Sequence, residues 1–176
     1  GSGRARQADP SRPPIIGRHS LYEVTRWTPP DVPLVYPTDR SRDVRVLGGA
    51  GFAEKRLGRP VGDAWTVYPF GSKPVGEFLA EVDFWVYFYG PDWYESFGMA
   101  AAEAMAAGLV VILPRSMEVT FGDGAVYCEP GQALRTVDRY WADPAAYAAQ
   151  SARAIQVARE RFGENILLDR VNHYLH

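Results

Sequence analysis

Apolar side chains fall along this chain in short runs separated by longer, more polar stretches. Six runs have the length and the β-branched or aromatic content of strands: Pro14–Gly17, Val44–Gly48, Trp65–Pro69, Phe84–Tyr89, Leu109–Leu113 and Ala125–Cys128. Several are continuously apolar, LVVIL at 109–113 most plainly. A strand with no polar face is covered on both sides, as in a parallel sheet. Helical patterns lie between the runs, clearest over Pro74–Glu81 and Ser96–Ala107, and two-residue hairpin turns are absent. Parallel neighbours need such crossovers. The expected fold class is α/β, a Rossmann-like doubly wound parallel sheet.

The end of the chain reads as helix. Asp143-Pro144 is an N-cap with proline at the first helical position, and Gly163 is placed to stop the helix. Tyr147, Ile155, Ala158 and Phe162 share one face, which either covers this domain's own sheet or packs on a neighbouring domain. A second short helix is expected from about Asn165 to Leu175. At the other end, residues 1–13 hold no large apolar side chain and read as a flexible tag or linker, with Gly1-Ser2-Gly3 resembling a cloning scar. The ordered domain is expected over residues 14–176.

Composition narrows the classes. With 176 residues, 47% apolar, the chain suits one globular domain. A charged fraction of 23% beside 13% aromatics excludes wholesale disorder. Nineteen basic against 21 acidic side chains give no reason to expect nucleic acid as a partner. The lone Cys128 rules out a disulfide framework and suits a reducing, cytoplasmic setting. It reads as a small buried apolar residue. The most apolar stretch, Met99 to Pro114, is interrupted by Glu103 and Gly108 and is too short to span a bilayer.

Several familiar chemistries have no foothold. A GxGxxG starting at Gly49 would need glycine where Glu54 stands, and there is no GxxxxGK[ST], HExxH, CxxC or GxSxG. The three histidines are far apart in sequence, and His19 reads as a solvated loop residue beside Arg18. One segment does carry chemistry. Residues 94–108, YESFGMAAAEAMAAG, follow the strongest strand and run into an alanine-rich helix closed by Gly108. Ser96 is a natural N-cap, and free amides at a helix start beside Gly98 form an anion site. Glu95 and Glu103 frame that helix start. A carboxylate on a small, apolar helix is costly without a partner, and adjacent ribose hydroxyls are good partners. The plain alternative is a dipole-favoured acid at 95 and a solvated helix residue at 103.

At this segment the sequence resembles a known family. Glu95 to Glu103, as E-S-F-G-x4-E-A-M-A-x-G, resembles the E-x7-E signature of retaining GT-B glycosyltransferases. Ile16-Gly17-Arg18-His19-Ser20 is similar to that family's first strand and G-R loop of the donor-binding domain, with Arg26-Trp27 at the basic position that follows, where the family usually has lysine. Val46 to Ala50, Pro69-Phe70-Gly71 with Pro74 to Asp83, and Phe121 to Pro130 resemble further segments, in the family's order. The resemblance covers roughly residues 14–175.

The resemblance implies roles at matching positions. Glu103 would hydrogen-bond the ribose hydroxyls of a nucleotide-sugar, and Glu95 would contact the sugar or its phosphate. The amides of Ser96, Phe97 and Gly98 would surround the donor phosphates, with Gly17 in the binding loop. Arg18 and Arg26 would hold the diphosphate and stabilise the leaving group. Ser72 and Lys73 lie where the family seats the base, though turn residues are the plainer reading; Trp93 and Tyr94 could stack on a sugar, though core or rim packing is the plainer reading, and His19 beside Arg18 could face the diphosphate. The implied reaction is glycosyl transfer with retention, with a nucleotide-diphosphate sugar as donor and no metal or other cofactor. The chain then reads as the C-terminal half of a two-domain enzyme, inactive alone. Its partners would be an N-terminal acceptor domain and a glycan or lipid-linked acceptor. The missing half would carry any peripheral attachment to the inner face of a membrane. Alternatives are an epimerase or phosphorylase of the same architecture, or a non-enzymatic α/β domain laid out like a receiver.

Overall fold

A computed structural model describes residues 4–19, 32–88 and 99–163. Among these, six strands form one sheet: β1 (Ile15–His19), β2 (Asp43–Leu47), β3 (Trp65–Tyr68), β4 (Phe84–Val86), β5 (Val110–Leu113) and β6 (Val126–Tyr127). The spatial order is β3-β2-β1-β4-β5-β6, and every neighbouring pair is parallel. All six expected strands are present, each with ends within three residues of the sequence reading. Burial follows position in the sheet. Central β4 and β5 are buried at every residue, whereas edge β6 is only half-buried and edge β3 is mostly so. That gradient explains why the runs at 84 and 109 are continuously apolar.

The strand order runs out from β1 in both directions, so the topological switch point lies between β1 and β4. This order differs from the receiver-like 2-1-3-4-5 arrangement, which removes that alternative layout.

Two apolar cores flank the sheet. On one face, Ile16, Val44, Val46, Phe84, Val86, Val110 and Ile112 pack with α1 (Val32–Val35), α2 (Gly51–Leu57) and α6 (Ala133–Trp141). On the other, Trp85, Val111 and Leu113 pack with α3 (Val75–Glu81), α4 (Met99–Ala106) and α7 (Pro144–Phe162). Ala101, Ala102 and Ala104 of α4 are buried, and their small side chains let α4 lie close against the sheet and α7. Gly108, at φ 82°, follows α4 in the left-handed region and its amide bonds Met105 O at 3.0 Å.

Helix α7 starts and stops as its residues dictate. The Asp143 carboxylate accepts from the Ala146 amide at 3.1 Å, Pro144 fills the first turn, and Gly163 at φ 78° ends it. Its apolar face belongs to this domain: Tyr147 Oη donates to Asp83 O at 2.8 Å, and Ser151 Oγ donates to Gly108 O at 2.7 Å. Phe162 meets the Phe121 ring at 5.5 Å between centroids. The expected helix from about Asn165 to Leu175 lies outside the described residues.

The lead-in departs from the sequence reading. Order does not start at residue 14: residues 4–12 lie against the domain. Arg6 Nη2 donates to Leu79 O at 2.7 Å, Nε donates to Ala107 O at 3.1 Å, and Nη1 donates to Val82 O. One guanidinium thus binds carbonyls at the ends of both α3 and α4, among them Leu79 O, which also accepts from the Val82 amide. The Arg6 amide donates to Ser151 Oγ at 2.7 Å, and Trp141 Nε1 donates to Arg12 O at 2.8 Å. Charged side chains fasten this segment, so a search for large apolar residues passes over it.

Candidate functional site

Residues at successive positions of a strand face opposite sides of the sheet. Arg18 and His19, at the C-terminal end of β1, therefore leave the switch point in opposite directions. Both are 2% exposed. Arg18 lies on the Ile16 side, its Cζ 4.7 Å from the centre of the Tyr87 ring. It also hydrogen-bonds the Tyr36 phenol, whose own hydroxyl donates to Val86 O. Burial pushes the Tyr36 phenol up, and the Arg18 charge opposes that shift. Arg18 is thus a buried cation in an aromatic setting, whereas a surface cation would be solvated.

His19 takes the other face. Its Nδ1 lies 2.9 Å from Trp85 Nε1, and its Nε2 lies 3.0 Å from Glu103 Oε2. An indole nitrogen can only donate, so Nδ1 is the acceptor and the ring proton sits on Nε2. Nε2–H then donates to the Glu103 carboxylate. Glu103 is fully buried on α4. The solvated-helix reading of Glu103 and the solvated-loop reading of His19 both give way: the two side chains partner each other across the β1–α4 interface. Reading β1 as ending at Gly17 hid this. Extending its period-2 alternation by two residues puts His19 on the same face as Gly17.

Gly17 has a packing reason. A Cβ there would meet Val82 Cγ2 at 2.8 Å and Arg45 O at 3.0 Å, so only glycine lets β1, β2 and the end of α3 approach. The glycines after β2 are also committed to the fold. Gly48 and Gly49 sit at φ 125° and 84°, and both amides donate to Tyr68 O, at 2.9 and 3.1 Å. Ser72 is a turn residue, with Oγ donating to Pro69 O at 2.6 Å, and Lys73 pairs with Glu81 over the Tyr68 ring. Cys128 is buried, which pushes its thiol up.

Arg26 falls in 20–31, and Glu95, Ser96, Phe97 and Gly98, with Trp93 and Tyr94, fall in 89–98; all lie outside the described residues. Segment 89–98 joins β4 to α4. Among the described residues no cluster of three or more His, Cys, Asp or Glu side chains is placed to hold a metal, and no helix is long and apolar enough to cross a membrane.

At the C-terminal end of β1 the arrangement sets a buried cation, Arg18, and a buried, oriented carboxylate, Glu103 reached through His19, on opposite faces of the sheet. A diphosphate with vicinal hydroxyls is the kind of ligand such a pair suits.

No protein-family model and no curated protein sequence matches the chain. Solved structures do match its fold, and they are GT-B glycosyltransferases. HepE from Anabaena, in complex with UDP-glucose, aligns at TM-score 0.63 and 15% identity, over 94% of this chain and 49% of that one. Sucrose-phosphate synthase from Thermosynechococcus elongatus aligns at 0.62 and 19%, over 93% and 45%. TarM aligns at 0.59 and 14%, over 100% and 37%. The chain thus has the fold of one GT-B half and spans about half or less of the length of these proteins.

Proposed function

We propose that this chain is the donor-binding half of a GT-B glycosyltransferase that takes a sugar from a nucleotide diphosphate and passes it to an acceptor with retention. The observation that carries the reading is the placement of Arg18 and Glu103. They flank the switch point of a fold that HepE shares, and HepE was crystallised with UDP-glucose. Glu103, held by His19, receives the ribose hydroxyls. Arg18 meets the diphosphate, and Arg26 and the amides of Ser96, Phe97 and Gly98 complete the anion site. Glu95 contacts the sugar.

As the glycosidic bond to phosphate breaks, negative charge grows on the diphosphate. Arginine side chains and helix amides fixed before the reaction stabilise that charge without reorganising. In this reading protein donors stabilise the leaving group in place of a metal. Acceptor binding belongs to a second half that closes the cleft, so this half alone binds donor weakly and does not transfer sugar.

The test is an assay of the chain joined to its partner half. UDP release from UDP-glucose in the presence of acceptor, with the product anomer assigned by NMR, is expected to show transfer with retention and loss of turnover in Arg18→Ala. An inverted product refutes retention. Efficient transfer by the isolated half refutes the division of labour.

A further inference from the structure

We propose that Trp85 and His19 act as a positioning relay for Glu103, fixing the plane of its carboxylate for the ribose hydroxyls of a nucleotide. The ligand rests on the donor-binding reading above, but the relay is a property of the folded chain.

Three elements supply the three groups: Trp85 on β4, His19 on β1 and Glu103 on α4. The indole N–H points at His19 Nδ1 at 2.9 Å and the Glu103 carboxylate accepts at Nε2, so both neighbours select the tautomer with hydrogen on Nε2. The opposite tautomer would set two N–H groups against each other. The selected Nε2–H points at Glu103 Oε2 at 3.0 Å. The imidazole is held edge-on to Trp85, with centroids 5.7 Å apart at 68°, and is tilted against Phe78 at 6.2 Å. It therefore presents its donor in one direction.

The last torsion of a glutamate side chain is broad, so a carboxylate does not fix its own plane. A directional donor on one oxygen does. Oriented carboxylates at metal centres rely on the same kind of outer partner. Trp85 extends the order further, since its ring stacks on Tyr87 at 5.5 Å and 18°, and Tyr87 lies under Arg18. The carboxylate and the cation on either side of the switch point are thereby referred to the same two aromatic rings.

Long-range proton–nitrogen NMR of the ring nitrogens in the wild-type chain is expected to show Nε2 protonated and Nδ1 bare. Trp85→Phe removes the indole donor and keeps an aromatic ring; the carboxylate still holds the proton on Nε2, and Nδ1, having lost its donor, is expected to shift to the resonance of an unbonded ring nitrogen. With UDP and its 2′,3′-dideoxy analogue as probes, the wild type is expected to prefer UDP. His19→Phe is expected to cut that preference about 5- to 10-fold, about one ordinary hydrogen bond's worth of orientation, with the dideoxy analogue little changed. His19→Gln, which offers an N–H at the same reach, is expected to restore it.

A merely structural role would weaken both ligands alike. A wild-type ring protonated on Nδ1, or an undiminished preference in folded His19→Phe, overturns the relay. If none of UDP, GDP, ADP and dTDP binds the wild type, alone or joined to its partner half, the donor reading fails instead. The relay is then decided by the ring spectra alone, and an unchanged pattern in Trp85→Phe overturns it.

Discussion

Arg12 grips the Asp83 carboxylate with both terminal guanidinium nitrogens, at 2.8 and 2.9 Å, ahead of the first strand. The same carboxylate accepts from the Ile15 amide at 2.8 Å, which fixes where β1 begins beside β4. Asp83 thus satisfies a backbone donor as well as a cation. Asp83→Ala is expected to destabilise the domain by about 1–3 kcal/mol, the cost of leaving a buried donor unmatched. Urea denaturation measures it, and a loss below about 0.5 kcal/mol would place the pair among inert surface contacts.

Arg6 fastens the lead-in to the ends of α3 and α4. Burial pushes the Arg6 guanidinium down, opposed by Tyr147 and Asp83, so its bonds to carbonyls work against a desolvation cost. Arg6→Ala is expected to raise proteolysis within residues 4–12 by ~10-fold or more while the core sheet stays protected. Limited proteolysis read by mass spectrometry checks this. Equal cleavage in both chains would mean that the segment is not held through Arg6.

Gly17→Ala is expected to cost about 1–3 kcal/mol, because the added methyl overlaps Val82 and the Arg45 carbonyl and at least one of these is backbone. The denaturation midpoint should fall with the m-value unchanged. A neutral result would show that the strand can shift to make room.

Acid stability has a local source at Glu81. Burial pushes its carboxyl up, but hydrogen bonds from Lys73, Tyr68 and Arg45 outweigh that and hold it below the usual range. A carboxyl depressed in the folded state contributes stability above its unfolded value of about 4.3, and that contribution is lost as pH falls through the folded value. The urea midpoint of the wild type should therefore fall on acidification below pH ~4.3. Glu81→Gln should flatten part of that fall, and parallel curves would contradict the assignment.

The sheet was legible in the sequence because its central strands, buried on both faces, are uninterrupted runs of large apolar residues. The Asp143–Gly163 helix was legible because its caps are chemically distinctive. The lead-in was not, because Arg6 and Arg12 hold it by bonds to distant carbonyls and to the Asp83 carboxylate, which leave no local periodicity. Within the site, Glu103 was legible as an acid out of place on an alanine helix. Its partner was not: His19 looks solvated until β1 is extended by two residues, and the Trp85 bond joins positions 66 residues apart.

The most direct test of the donor-binding account is ligand-observed NMR of the chain against UDP, GDP, ADP and dTDP, repeated on Glu103→Ala. One base should bind with a dissociation constant nearer millimolar than nanomolar, about −4 to −6 kcal/mol, and binding should weaken in the folded variant. Absence of binding to any of the four, both by this folded chain and by one carrying both halves, would contradict it.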